Sequence, residues 1–175
     1  MGLKSNPDLY VWDTAVFLAL LRDDEPKRSA MIEPVLAEIQ AGRVQLGFSR
    51  MVDVEFLDLG AGDNAFSEYK RFSLRSDVLP VDVQVSVTTL AGEIRSHLKQ
   101  AKDAGEPVRI LKAADAVHLA SARLVSAKML HTFDKDLLTL NGHSVASGVT
   151  ITEPRLLNPT LPLLDAIEER SDADS

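Results

Sequence analysis

Short apolar runs alternate along this chain with longer stretches whose apolar residues recur at helical spacing. Leu9 to Asp13 is the first such run and predicts a short buried strand. Thr14 to Leu21 follows as a helix, broken at Asp23-Asp24-Glu25-Pro26, where Pro26 can open the next one. Met31, Val35, Leu36 and Ile39 set helical spacing from Arg28 to Ala41, and Gly42 stops it. Val44 to Phe48 predicts a second strand, and Ser49 caps a helix through Met51, Val54, Glu55 and Leu57 to Leu59. Gly60 to Asn64 reads as a turn and Ala65 to Ser73 as a short helix. Val78 to Val81 is extended, and Pro80 argues against a central strand. Val83 to Ala104 predicts one long helix, Pro107 to Leu111 a loop, and Lys112 to Ala127 an alanine-rich helix. Lys128 to Phe133 predicts a strand, Asp134 to Leu140 a helical turn, and Gly148 to Thr152 a last strand. Strands alternating with helices predict an α/β fold: a central, mostly parallel sheet flanked by helices.

The 175 residues suit one domain with a sizeable core, and 45% hydrophobic residues exclude a disordered chain. The expected boundaries are a folded unit over 1–154 and an acidic, partly disordered extension over 155–175. Leu161, Leu163, Leu164 and Ile167 there are spaced for one short helix. The absence of cysteine excludes disulfides, thiolate zinc sites and cysteine nucleophiles. The polar segment Met1 to Pro7 lacks a signal-peptide core, and no run approaches the roughly 18 apolar residues that span a bilayer. A cytoplasmic protein without a membrane segment is expected. The net charge of −7 argues against a broad nucleic-acid-binding surface, but much of it sits in the C-terminal acids.

The chemistry turns on four separated carboxylates. Asp13 and Asp134 each follow an apolar strand, and Glu55 and Asp115 lie early in predicted helices. Ligands of open α/β sheets sit at the carboxyl ends of the strands, so Asp13 and Asp134 converge if their strands are neighbours. Clustered carboxylates need a counter-ion, and oxygen donors favour Mg2+ or Mn2+. His97, His118, His131 and His143 form no short pair suited to zinc. Two hard cations about 4 Å apart would suit phosphodiester hydrolysis. No glycine-rich phosphate loop or dinucleotide fingerprint is present.

Four blocks resemble PIN-domain ribonucleases: Asp13-Thr14; Ser49 to Glu55; Lys112-Ala113-Ala114-Asp115-Ala116-Val117-His118-Leu119-Ala120; and Leu130-His131-Thr132-Phe133-Asp134-Lys135-Asp136. Their order and separation fit that family from about residue 8 to residue 152. The resemblance implies a three-layer PIN-like fold and a metal-dependent endoribonuclease. It gives Asp13, Glu55, Asp115 and Asp134 the catalytic and metal-binding positions, with Asp136 as a candidate fifth ligand and Asp53 as the neighbour that rivals Glu55. Thr132 takes the hydroxyl position before the last acid, and Thr14 supports the first. Lys112, His118 and Arg50 are candidate substrate contacts, though His118, one turn after Asp115, also reads as a contact to a carboxylate or, more simply, as a satisfied, partly buried histidine. Many bacterial members are VapC-type toxins, which implies RNA as substrate, a small antitoxin as partner and scope for a homodimer. Two rivals stay open: a non-catalytic PIN scaffold that binds RNA or protein, and a phosphatase using Asp13 as nucleophile. The second lacks an aspartate two residues on, where Ala15 stands.

Overall fold

The computed structural model describes residues 7–22, 25–58 and 64–157. Most of the predicted turn over Gly60 to Asn64, the break at Asp23-Asp24 and the helix proposed around Leu161 to Ile167 lie outside them, and Asn64 opens a helix. Five strands form one all-parallel sheet: β1 (Asp8–Trp12), β2 (Val44–Ser49), β3 (Val78–Val81), β4 (Met129–His131) and β5 (Thr150–Thr152), in the order β3-β2-β1-β4-β5. Between them run α1 (Thr14–Arg22), α2 (Pro26–Gln40), α3 (Met51–Asp58), α4 (Asn64–Ser73), α5 (Val85–Asp103), α6 (Ala113–Leu124) and α7 (Lys135–Leu138), with a 3-10 turn at Ser144–Ala146.

The three-layer arrangement follows from the two-residue period of β1. Tyr10 and Trp12 join Val16, Phe17, Ile32, Val35, Phe48, Phe56 and Tyr69 in a core under α1 to α4. Val11 points the other way, into a core with Ile94, Leu98, Leu119 and Leu130 under α5 and α6. The first layer is rich in aromatic rings. Phe17 meets Trp12, Phe48, Tyr69 and Phe72 edge-on, with ring centroids 5.5 to 5.8 Å apart. That cluster fixes α1, and so the residues at its start, against β1 and β2.

The expected elements are present with shifted ends. Pro80 sits on the edge strand β3, opposite Phe48, where a missing N–H costs least. The strand expected over Lys128 to Phe133 is only three residues long, Met129–His131. Helix α2 runs through Pro34, which alone would suggest a break. Pro34 and Ala30 are both exposed, so the carbonyl that loses its helical donor faces solvent. Contacts with the folded unit continue through Leu157. The Arg155 N–H lies 3.4 Å from His131 Nε2, the Leu157 N–H donates to the Tyr10 hydroxyl at 3.0 Å, and Leu156 packs on the aromatic core. The rest of the expected extension lies outside the described residues. Among the described residues no helix is long and apolar enough to cross a membrane.

Candidate active site

β1 and β4 are parallel neighbours, with Trp12 opposite His131. The residues just beyond their carboxyl ends therefore meet. The Asp13 N–H donates to the His131 carbonyl at 3.2 Å, carrying the ladder one step past the strand. Asp13 is only 3% exposed. Its Oδ1 accepts the Val16 N–H at 3.1 Å, which caps α1, and its Oδ2 accepts the Thr132 hydroxyl. The Thr132 oxygen in turn accepts the Asp134 N–H at 2.8 Å. A continuous chain thus runs from the Asp134 backbone through Thr132 to Asp13.

Asp134 stands at the start of α7 and accepts the N–H groups of Asp136 at 2.8 Å and Leu137 at 3.1 Å. Asp115 lies in the first turn of α6. Glu55, half-buried on α3, accepts the Thr14 hydroxyl at 2.5 Å and meets His118 Nε2 at 2.7 Å. His118 is buried beneath it, 1% exposed.

The electrostatics set these acids apart from their neighbours. Burial pushes the Asp13 carboxyl up to about 6, against the pull of the His118 charge and of the Thr132 and Val16 hydrogen bonds. Burial, then the Asp134 charge, raises Asp115. Burial also opposes ionised Glu55, but hydrogen bonds from His118 and Thr14 hold it below its ordinary value. Burial works against charged His118, and the Glu55 hydrogen bond with the charges of Asp13, Glu55 and Asp115 outweighs it. Among the described residues Asp13, Asp115 and Asp134 form no ion pair.

The rival acids do have basic partners. Asp53 accepts from Lys70 at 2.8 Å, Tyr69 at 3.0 Å and Arg50 at 3.2 Å. Asp136 pairs with Arg109 at 3.1 Å, a partner that nothing in the sequence marked. Arg50 is engaged by Asp53 and Asp82 and lies over the Phe48 ring. Arg71 and Arg75 are taken by Glu68 and Asp77. Lys112 stands exposed before α6, and its charge acts on Glu55 and Asp115.

Among the described residues no three His, Asp or Glu side chains are arranged as a ready-made metal cage. The donor set nonetheless fits a hard cation. It consists of carboxylate oxygens, and two of its members, Asp13 and Asp115, are raised because burial is not matched by positive charge.

The all-parallel α/β sheet thus carries acids just beyond the carboxyl ends of two adjacent strands. Residues 10–142 match the PIN domain, and the chain belongs to that family. The fold is shared with VapBC2 of Rickettsia felis, solved bound to a fragment of its promoter DNA, at a TM-score of 0.58 and 15% identity, covering 82% of this chain and 96% of that one. It is shared also with VapC20 of Mycobacterium tuberculosis, a toxin that cleaves the sarcin-ricin loop, at 0.53 and 17%, covering 74% and 92%. DNA-bound VapBC of Salmonella typhimurium gives 0.55 and 13%, covering 85% and 99%. No curated protein sequence matches the chain.

Proposed function

We propose that this protein is a divalent-cation-dependent endoribonuclease and the toxin of a toxin–antitoxin pair. The observation that carries the reading is the convergence of Asp13, Thr132 and Asp134 at the ends of β1 and β4, with Glu55 tied to Thr14 and His118 beside them. The PIN family and the likeness to VapC20, a sarcin-ricin loop cleaving toxin, support RNA as the substrate. The likeness to VapBC complexes supports a small antitoxin as partner.

Asp13, Asp115 and Asp134 would hold Mg2+ or Mn2+, with Glu55 completing the set. The bound ion supplies the positive charge that offsets the clustered carboxylates and the phosphodiester. Thr132 orients Asp13 by donating to Oδ2, and is itself fixed by the Asp134 N–H. Lys112, exposed before the N-terminal end of α6, offers a cation to a substrate phosphate. Burial of Asp13 and Thr132 keeps water from competing for their hydrogen bond.

The test is RNA cleavage by purified protein with Mg2+, with Mn2+ and with chelator. Cleavage is expected only with the ion, and Asp115→Asn and Glu55→Gln are each expected to abolish it. Asp53→Ala is expected to cost roughly 1–3 kcal/mol of stability, by stripping Tyr69 and Lys70 of their acceptor, while the folded protein still cleaves. Cleavage that survives both acid substitutions, or that needs no ion, would overturn the assignment.

A further inference from the structure

The Glu55 carboxylate is held from behind. Thr14 Oγ1 at 2.5 Å and His118 Nε2 at 2.7 Å both meet the same oxygen, Oε2. The other oxygen, Oε1, takes no hydrogen bond among the described residues. The two donors arrive from different elements. Thr14 opens α1 directly after Asp13, and His118 lies one turn along α6 from Asp115. Each grip on Glu55 is therefore rigidly attached to an element start that carries another acid of the set.

An ionised carboxylate only accepts hydrogen bonds, so His118 must present its N–H from Nε2. His118 is 1% exposed and cannot reach a solvent-borne substrate without unpacking α6. Its Nδ1 is buried with no partner among the described residues, so the ring is placed there at a cost that the Glu55 contact and the neighbouring carboxylate charges offset. A histidine needed only to fill the core would sit better as an apolar residue among Val117, Leu119 and Ala120.

Resting on the nuclease reading above, we propose that His118, with Thr14, is a positioning residue that fixes the roll of the Glu55 carboxylate through Oε2. Oε1 is then the oxygen available to the cation. Partners that orient a metal-binding group typically change affinity or activity about 10–100-fold when removed. Leucine at this position keeps bulk and loses the donor. Glutamine places an amide N–H near where the imidazole Nε2–H lies.

The experiment is Mn2+ titration calorimetry on the full chain, with RNA cleavage and thermal unfolding in parallel. His118→Leu is expected to weaken Mn2+ binding about 10–100-fold and to slow cleavage in step. His118→Gln is expected to restore most of both, and Thr14→Val to weaken binding in the same direction. Unchanged Mn2+ affinity in His118→Leu overturns the inference, as does equal damage in the leucine and glutamine variants, which would mean packing alone. If His118→Leu fails to fold, Thr14→Val decides, and wild-type affinity there overturns the proposal. A wild-type protein that binds no Mn2+ sinks the nuclease reading and this inference with it. A wild type that binds Mn2+ indistinguishably from the variants sinks this inference alone.

Discussion

Asp13→Asn is expected to abolish ion-dependent RNA cleavage and, in chelator at pH 7, to make the protein more stable by about 3 kcal/mol. The two effects have one cause. Asp13 is buried at the end of β1 with a carboxyl pushed up from 3.8 to about 6. In the unfolded chain that carboxyl ionises near its ordinary value. Between 3.8 and about 6 the unfolded state releases the proton while the folded state keeps it. The stability linked to the protonated acid is therefore complete below 3.8 and is lost as pH rises through about 6. Asparagine has the same shape, keeps an acceptor for the Val16 N–H and carries no charge to bury. Urea unfolding in chelator at pH 7 and pH 3.5 measures the difference, which should all but vanish at the lower pH. With Mn2+ the order should reverse, because an ion that binds only the folded wild type stabilises it by mass action. An asparagine variant less stable than wild type in chelator at pH 7 would refute the buried-charge account.

A second large effect, opposite in sign, is expected at His131. Burial drives this imidazole down from 6.5 to about 4. Trp12 Nε1–H donates to Nδ1 at 3.1 Å, a contact that a proton added at Nδ1 would break. The folded state refuses a second proton that the unfolded chain accepts below 6.5, so stability is present above 6.5 and lost as pH falls through about 4. The loss amounts to about 3 kcal/mol across that window. His131→Phe removes this dependence and adds a constant cost, since Trp12 loses its acceptor. The stability gap between wild type and this variant should narrow by about 3 kcal/mol between pH 7 and pH 4, read by urea unfolding at each pH. A gap that stays constant or widens on acidification would show that His131 is protonated in the folded state. Asp13 and His131 thus act against each other over nearly the same pH range, from opposite sides of one strand junction. Below that range the lowered Glu55 and Asp53 carboxyls add an acid-sensitive loss of their own.

The chain order of the elements was legible because burial imposes a period on each. The apolar run before Asp13 and the run Lys128 to Phe133 before Asp134 read as strands, and the alternation with helices implied a mostly parallel sheet. Pro80 placed Val78–Val81 away from the centre, and the edge position of β3 agrees. Pro34 lies inside the helix expected over Arg28 to Ala41, and it and Ala30 are both exposed, where solvent can take the orphaned carbonyl.

The candidate acids were legible by residue type and spacing, but their relationships were not. Asp53 and Glu55 are two residues apart on one helix, so they point about 160° apart, and local sequence cannot say which direction faces the sheet end. Lys70 and Tyr69 arrive on α4 to claim Asp53, while Thr14 and His118 arrive on α1 and α6 to claim Glu55. The same holds for Asp136, whose partner Arg109 is 27 residues away in sequence.

The sequence by itself therefore determined the elements, the parallel sheet and the set of candidate carboxylates, because periodicity and side-chain type are local properties. Only the tertiary structure decided that β1 and β4 are neighbours, that Thr132 reaches Asp13, and which acids are left without a basic partner. Those facts depend on contacts between residues distant in the chain, 119 positions for Thr132 and Asp13 and 27 for Arg109 and Asp136, and burial at such contacts shifts a carboxyl's affinity for its proton.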